Sequence, residues 1–547
     1  MKTLVRFTLA TLLSLPVVPR MAVAQPAPAP APPPIPDAAG QPAPTPDTAP
    51  QPPPPPAEAP PPPPPPAEKP PAEKPPAAPP TVPKGPEWTS LRLLHAKGVI
   101  SDAELASALK DIGVLGAPDA TTLVLSRFKT TLYGYAEGNF VYDTTQSCVE
   151  FCANAQIQKP HTYRGEHGRT IFGPRDARFG IRIAAPEEHG IRGSALLETD
   201  FFGPTTTTEQ GTYSNPVMRI RNAYLKLETP VLDLLIGQTW SLFGWQPVFL
   251  LASVQPPGLP GQMFERTTQF RVSKTIKSSA VIADLAIAAN RPPQQDSATP
   301  EGVAGIKLSF PTWSGQHTAY MASTTINPAA ISITGDVRKF RIPEFAVAQH
   351  TGHVKVGGGV SFGVYLPIVK ATKDNKDNAL SLTGELTIGT GTSDMYTALG
   401  GAGTANATLP PAMMGGAPIP YTANFDPGLA AVDVTGHIEL IKWTSYIAGL
   451  EFYPAGTGNR LGLYANFGHQ ESSNAKEVGT ASPAAGMSAT AAAAKIRDHE
   501  EVYEGGLFFD PTKATRVAAC GAVYNDTYGD GVQAQNVSLM MSGWLFF

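Results

Sequence analysis

Two residue classes alternate along several segments of this chain, and no other feature restricts its fold as strongly. From Phe128 to Asp143 one parity is small and apolar with aromatic residues at both ends, whereas the other is polar. Segment 176–183 repeats the pattern, with bulky apolar side chains on one parity and Arg178 and Arg182 on the other. A period of two residues indicates β-strands. An apolar face banded in this way suits lipid, so the polar face implies a water-filled lumen.

Strand-like segments continue from residue 128 to 547 and predict an all-β, transmembrane antiparallel β-barrel. We count about 16 strands, with 18 as the alternative because 327–366 and 391–453 are ambiguous. Short turns should face the periplasm and long loops the outside, with both chain ends on the periplasmic side. The predicted strands are 128–143, 176–183, 192–201, 217–228, 234–243, 266–275, 280–290, 302–311, 317–326, 345–366, 379–390, 436–453, 459–469, 499–510, 514–527 and 533–547.

The stretch VMRIRNAYLKLETPVLDLLIGQTWSLFGWQPVF, residues 217–249, predicts a hairpin followed by the start of a long loop. A proline interrupts the pattern at 229–233, which indicates a short turn between antiparallel strands. The segment 244–262 then combines many prolines and glycines with large apolar residues. An apolar loop of that length normally packs against something. We expect it inside the lumen as a constriction loop, with an external lid as the alternative; its candidate residues are Trp240, Trp245 and Phe249.

The strings RIRNAYLKL and LLIGQTWSLFG resemble the arginine-rich strand and the G-Q-T-W-S strand of the DcaP-like trimeric porins of Gram-negative outer membranes. The resemblance is strongest over residues 128–274 and is supported by the last strand, VSLMMSGWLFF. It implies an outer-membrane porin embedded in lipid that assembles as a homotrimer. It also implies that the barrel-assembly machinery recognises the C-terminal Phe547.

The region before the barrel divides into three parts. Residues 1–24 form a secretory signal peptide, with an A-x-A cleavage site ending at Ala24. Residues 25–86 are rich in proline and alanine and predict a disordered periplasmic tether, either a passive spacer or a peptidoglycan-binding segment. Residues 87–117 predict two short helices, the second opened by a capping box at 101–104. Such short helices need a partner, either the other protomers or the periplasmic rim of the barrel.

Arginines are the candidate selectivity residues. Their guanidinium groups keep their charge and bind carboxylates or phosphates bidentately, so a cationic wall favours anions. We therefore expect a passive channel for small hydrophilic solutes that prefers anionic organic solutes such as dicarboxylates. The alternatives are a general or phosphate-preferring pore, in which arginines pair with acidic residues, and an anchor or adhesin, which calls for a narrow barrel of about 8 to 12 strands. The candidate arginines are Arg178, Arg182, Arg192, Arg219 and Arg221.

Composition excludes other classes of protein. A net charge of −4 without a strongly basic stretch is not typical of nucleic-acid binding, and no long apolar stretch predicts a helical membrane protein. The chain contains no H-E-x-x-H or phosphate-loop motif. We therefore expect no enzymatic activity and no cofactor. A lipase, the enzyme alternative, would need a serine paired with His437, His469 or His499.

The cysteines suggest one disulfide in an oxidising compartment. Cys148 and Cys152 lie close enough in sequence to pair, whereas Cys520 has no evident mate. The alternative is a metal site formed by these two cysteines with His161 and His167. We disfavour it, and expect no metal, because a flexible loop does not fix tetrahedral ligand geometry.

Overall fold

The computed structural model describes residues 91, 93–102, 104–105, 107, 122–125, 128–246, 248–255, 258–294, 297–321, 324–343, 352–373, 375–404, 412–414, 417–419, 426–432, 438–481 and 487–547. The predicted signal peptide and proline-rich tether lie outside these residues.

The wall of the molecule is a closed antiparallel β-barrel, as predicted. Its sheet contains 18 strand segments, of which Thr122–Leu125 and Arg169–Gly173 are short additions to the edges of the first strand, so 16 form the wall. These are β1 Phe128–Asp143, β2 Arg178–Ala184, β3 Arg192–Asp200, β4 Arg219–Glu228, β5 Asp233–Trp240, β6 Arg266–Lys277, β7 Ile282–Asn290, β8 Glu301–Thr318, β9 Thr324–Pro343, β10 Gly352–Val369, β11 Ala379–Thr390, β12 Lys442–Tyr453, β13 Leu461–Ser472, β14 Arg497–Thr512, β15 Thr515–Tyr528 and β16 Gln533–Phe546.

The last strand closes the barrel on the first. β16 pairs with β1 from Phe546 opposite Tyr135 to Ser538 opposite Asp143. Phe547 extends this ladder through two backbone hydrogen bonds of 3.1 Å with Gly134. Closure pairs the backbone groups that a free sheet edge would expose, which is the condition for strands to cross a bilayer.

The connections differ in length at the two ends of the barrel, as expected. One end has short turns, such as residues 229–232 and 513–514, and also carries the start of β1 and the end of β16. We call it the short-turn end. The opposite, long-loop end has the extended connections 144–177, 241–265 and 391–441. In outer-membrane barrels short turns face the periplasm and long loops the outside.

A β-bulge on β4 explains why its sequence does not alternate strictly. Asn222 pairs with Glu198 and Ile220 with Thr199, so Arg221 is an extra residue between two ladder pairs. The bulge shifts the parity, and Ile220 and Leu225 both face outward, with 53% and 56% of their surface exposed. Arg221 points inward and is 1% exposed. Outward aliphatic residues and inward polar residues fit lipid outside and a polar lumen inside.

One predicted strand is wrong. The segment 317–326 was expected to be a strand, but it contains the turn that joins β8 to β9, in which Tyr320 has a left-handed backbone with a φ of 55°. β9 instead covers Thr324–Pro343, and no strand was predicted between residues 327 and 344. The prediction failed because residues 316–318 and 324–326 both lie in strands, and their alternation of residue types continues across the turn.

Before the barrel, residues 93–96 are helical and Gly98 has a φ of 69°. The predicted capping box forms: the Ser101 backbone N–H donates to Glu104 Oε2 at 2.8 Å, and the Glu104 N–H donates to Ser101 Oγ at 3.3 Å. None of the helices in the described part of the chain is long and apolar enough to cross a membrane.

Candidate pore constriction

The connection between β5 and β6, residues 241–265, lies in the lumen and contains the predicted segment 244–262. Its apolar side chains are almost completely buried, with Phe249 1%, Leu251 2% and Leu259 0% exposed. Phe249 packs against Ala330 of β9 and Tyr365 of β10. We call residues 241–265 the constriction loop. Since its apolar groups pack against the inner wall, it is held as a folded part of the barrel and not as a lid above it.

Hydrogen bonds from the inner wall fix the constriction loop along its length. The Gly244 N–H donates to Thr334 Oγ1 of β9 at 3.1 Å, and the Met263 N–H donates to Glu385 of β11 at 2.8 Å. Between these two points, Ser253 Oγ donates to Glu504 of β14 at 2.9 Å. The loop leaves the wall at β5, whereas its partners lie on β9, β11 and β14. The loop therefore crosses the lumen. Buried backbone groups without a ladder need such partners.

The three predicted aromatic residues lie at different places: Trp240 at the end of β5, and Trp245 and Phe249 in the constriction loop. Trp240 ends β5 and meets the ring of Phe264 edge-on, with the centroids 4.8 Å apart. Trp245 has a φ of 51°, and the Lys307 ammonium lies 5.5 Å from its ring centroid. Trp245 and Phe249 share one apolar cluster with Ala330 and Tyr365, whereas Trp240 packs into another with Leu250. The three side chains therefore do not form one ring.

A second segment enters the lumen from the short-turn end. β8 and β9 stay in register up to Phe310 opposite Ala329, and the next pair is Ser314 opposite Pro328. Three residues of β8, Pro311–Trp313, are therefore unpaired, and this irregularity bends the hairpin. We call residues 314–328 the hairpin tip. Residues 315–318 of the tip are buried.

The wall contacts of the hairpin tip place it inside the barrel. The main-chain carbonyl of Gln316 accepts hydrogen bonds from Tyr365 of β10 and Ser381 of β11, both at 3.1 Å. The His317 ring contacts Glu451 of β12 at 2.6 Å, and the Thr318 N–H donates to the same carboxylate at 2.8 Å. The sequence analysis missed this element. A signal was present, because prolines stand on both strands at the bend, and proline inside a sheet marks an edge or a bulge.

Three of the predicted arginines form one ion-paired network. Arg221 binds Glu198 at 2.9 Å and Asp200 at 2.7 Å, and Arg219 binds Asp200 at 2.8 Å. Arg178 lies 3.7 Å from Asp176 and 4.0 Å from Glu198. Three guanidinium groups thus face three carboxylates, and their charges largely cancel.

The other two arginines lie apart from this network. Arg192 pairs with Glu228 near the short-turn end and is exposed. The Arg182 guanidinium lies 5.2 Å from the ring centroid of Tyr133, a cation–π contact. Arg271 of β6, which was not predicted, donates to Gln269 at 2.8 Å and to the Trp240 carbonyl at 2.7 Å. No described carboxylate lies within ion-pair distance of Arg182 or Arg271.

A second buried charge cluster, also missed from the sequence, lies on the wall near β8 and β9. Arg338 binds Glu301 at 2.7 Å, Asp336 at 3.3 Å and Asp394 at 2.5 Å. Three carboxylates therefore surround one guanidinium. The lumen is therefore not uniformly basic. The Arg338 cluster has more carboxylates than guanidinium groups, whereas the β2–β4 network pairs three of each.

Cys148 and Cys152 form a disulfide at the long-loop end, with their Cα atoms 4.7 Å apart. Asn536 of β16 donates to Asp143 at 3.0 Å and lies 3.4 Å from the Cys152 sulfur. Asp143 and the two sulfurs lie within 4.8 Å of one another, but disulfide sulfurs are not the thiolates that a metal requires. The disulfide closes a short turn within the 144–177 connection, and Asn536 of β16 holds that turn against the barrel wall. Cys520 is buried and free.

Comparison with known proteins finds similarity to solved structures. No protein-family model matches the sequence, and no curated protein matches it either. Among solved structures, the chain is similar to the outer membrane channel DcaP of Acinetobacter baumannii, with 16% identity, 77% of this chain and 97% of that chain covered, and a TM-score of 0.53.

Two further solved structures are similar at lower TM-scores. OmpT of Vibrio cholerae matches with 9% identity, 78% of this chain and 100% of that chain covered, and a TM-score of 0.41. OprB of Pseudomonas putida matches with 9% identity, 76% of this chain and 94% of that chain covered, and a TM-score of 0.42. The resemblance read from the strand motifs is thus confirmed at the level of fold by the DcaP match: this chain has the 16-stranded barrel fold of an outer membrane channel.

Proposed function

We propose that this protein is an outer-membrane porin, a passive diffusion channel for small hydrophilic solutes. The observation that carries the proposal is a closed 16-strand barrel whose lumen holds a constriction loop and many inward polar side chains. Barrels of this size have room for an aqueous channel, whereas an anchor or adhesin suits a narrow barrel of about 8 to 12 strands. The channel narrows where the loop crosses it.

The pairing of lumen arginines with carboxylates favours general diffusion over anion selectivity as the main activity. The β2–β4 network pairs three arginines with three carboxylates, and the Arg338 cluster holds an excess of acid. An arginine that is already paired with a carboxylate contributes little attraction for a passing anion.

Preference for anionic organic solutes, such as dicarboxylates or phosphate esters, is a second candidate. Arg182 and Arg271 favour it, because both lie within electrostatic range of Tyr224 and neither pairs with a described carboxylate. Unpaired guanidinium groups on one wall would bind a carboxylate or phosphate in transit.

Planar-bilayer recordings test both candidates. The folded protein should give discrete conductance steps, and a folded protein that never conducts contradicts the porin proposal. Changing Arg182→Gln together with Arg271→Gln should move the reversal potential in a salt gradient toward cations if these residues select anions. Arg192→Gln is the control, because it removes an arginine that is exposed and paired. An unchanged reversal potential in the double variant leaves general diffusion alone.

The assembly of the porin is part of the same proposal. We infer a homotrimer, exported by the signal peptide and inserted through recognition of the exposed Phe547 by the barrel-assembly machinery. Residues 25–86 would form a periplasmic tether, either a passive spacer or a peptidoglycan-binding segment. Deleting 25–117 should leave a barrel that still inserts and conducts, because the wall closes without that region. Loss of folding in this deletion would assign the helices to the barrel itself.

A further inference from the structure

Two segments that enter the barrel from opposite ends meet inside it. The backbone N–H of Tyr320, in the hairpin tip, donates to the carbonyl of Leu251, in the constriction loop, at 2.9 Å. The Tyr320 ring lies 5.8 Å from that of Phe264 and shares an apolar cluster with Leu250. Tyr320 is 9% exposed. The hairpin tip starts at the short-turn end of the barrel and the constriction loop starts at the long-loop end. The contact therefore joins segments from opposite ends.

The hairpin tip also reaches the far wall. β8 and β9 lie half a circumference from the β1–β16 closure. Nevertheless, Arg516 of β15 donates to the main-chain carbonyl of Met321 at 3.1 Å and to Thr324 at 3.0 Å. On β2, the Arg178 guanidinium lies 5.7 Å from the Tyr320 ring centroid. Both strands are six positions away around the barrel, so the tip crosses the lumen.

The backbone of the tip is held in an uncommon conformation at the crossing. Tyr320 has a φ of 55° and a ψ of 50°, and Met321 has a φ of 47°. A left-handed backbone is unfavourable for residues other than glycine, so surrounding contacts must hold these two residues there. Here they are the Leu251 carbonyl, the Arg516 guanidinium and the apolar cluster around Phe264.

We propose that the hairpin tip is a second constriction element, and that the contact of Tyr320 with the constriction loop sets the size limit for solutes. A channel with one internal loop narrows from one side only. In this barrel the loop covers the lumen from the long-loop end, and the tip covers it from the short-turn end. The solute path therefore passes around the Tyr320–Leu251 contact, and Tyr320 is the size-determining residue that the sequence did not reveal.

Two side chains at this contact, those of Tyr320 and Leu250, can be truncated separately by mutation. Removing the Tyr320 ring takes away the part of the tip that faces Phe264, Leu250 and Arg178, whereas the main-chain contact with Leu251 remains. Removing the Leu250 side chain trims the loop side of the same cluster. If both belong to one constriction, the effects on conductance of the two changes are not additive.

Single-channel recording and liposome swelling with neutral sugars of increasing size test this inference, which rests on the proposed porin function. Tyr320→Ala should raise the conductance by roughly 1.5-fold or more and admit larger sugars, because a bulky ring leaves the narrowest section. Tyr163→Ala, in an exposed loop, is the matched control and should leave both values at wild type. Heat-modifiable migration in detergent gels verifies folding of each variant.

A tip deletion guards against relaxation around the smaller side chain. Replacing residues 311–328 by a two-residue Asn-Gly turn removes the tip and keeps the pairs of β8 with β9 up to Phe310 opposite Ala329. It should raise the conductance more than Tyr320→Ala does. Wild-type conductance and an unchanged sugar limit in both folded variants would overturn the size-limit inference while the porin function stands. If neither the wild type nor any variant conducts, the porin proposal itself fails.

Discussion

The constriction loop and the hairpin tip both fill the lumen, but they are built in different ways. The loop has no strand partner and depends on wall side chains such as Thr334, Glu385 and Glu504 for its hydrogen bonds. The tip keeps its own ladder, from Ser314 opposite Pro328 to Thr318 opposite Thr324. A segment with its own ladder needs the wall at a few points only, so the two inserts should respond differently to mutation.

The largest expected effect comes from shortening the constriction loop. Replacing residues 246–259 by a short Gly/Ser linker should raise the single-channel conductance by roughly threefold, because the main apolar body in the lumen is removed. The tip should remain folded on its own ladder. Conductance in planar bilayers measures the effect.

Deletion of 205–209 serves as the control for that change. These residues lie in an exposed connection between β3 and β4, so conductance should stay at wild type. If loop shortening and the control deletion give the same conductance, the loop does not limit the channel, and the contrast with the tip disappears.

The second change tests how few wall contacts hold the tip. Glu451 accepts hydrogen bonds from the Thr318 N–H at 2.8 Å and the Tyr453 hydroxyl at 2.7 Å, and it contacts the His317 ring. Glu451→Ala should lower the opening free energy of the tip by about 1–3 kcal/mol, because buried donors lose their acceptor. Hydrogen exchange of residues 315–321 should quicken, with that of 248–255 unchanged.

Glu451→Gln is the matched variant, since its amide oxygen still accepts one of these bonds. It should fall between wild type and Glu451→Ala. Equal quickening of exchange in the tip and in the constriction loop would mean that the two inserts open as one unit, and the comparison would need a single cooperative plug in place of two elements.

The smallest expected effect concerns a long-loop segment that, like the constriction loop, depends on side-chain contacts. Burial raises the pKa of Glu150 to about 7, against the opposing Arg175 guanidinium 3.6 Å away. Since the pKa is raised on folding, the stabilisation is complete below the ordinary value of 4.5 and is lost as the pH rises through about 7. Protection of residues 148–154 from exchange, corrected for intrinsic rates, should therefore fall modestly between pH 5 and pH 8.

Glu150→Gln should remove most of this dependence on pH, because a neutral amide does not titrate. A flat profile in the wild type would contradict a titrating Glu150, and an equally steep profile in Glu150→Gln would assign the pH dependence to another group.

Most of the barrel could be predicted from residue alternation, because each strand places one parity in lipid and the other in water. That pattern predicted β1, β2 and β16 closely, together with the turn at 229–232. It failed at the hairpin tip, where both faces of residues 315–318 are buried inside the barrel and the alternation carries no information on location. It also left open which charges pair across strands, as with Arg221 and Asp200.

The sequence by itself determined the wall of this protein: strands long enough to cross a membrane, apolar residues on their outer face, and an apolar loop that had to pack somewhere. Only the tertiary structure decided what fills the lumen. The register between β3 and β4 sets which arginines are neutralised, and the bend at Pro311–Trp313 sends the tip inward. The physical reason is range: alternation acts between neighbouring residues and the solvent on either side, whereas ion pairs and internal plugs depend on strands brought together only when the barrel closes.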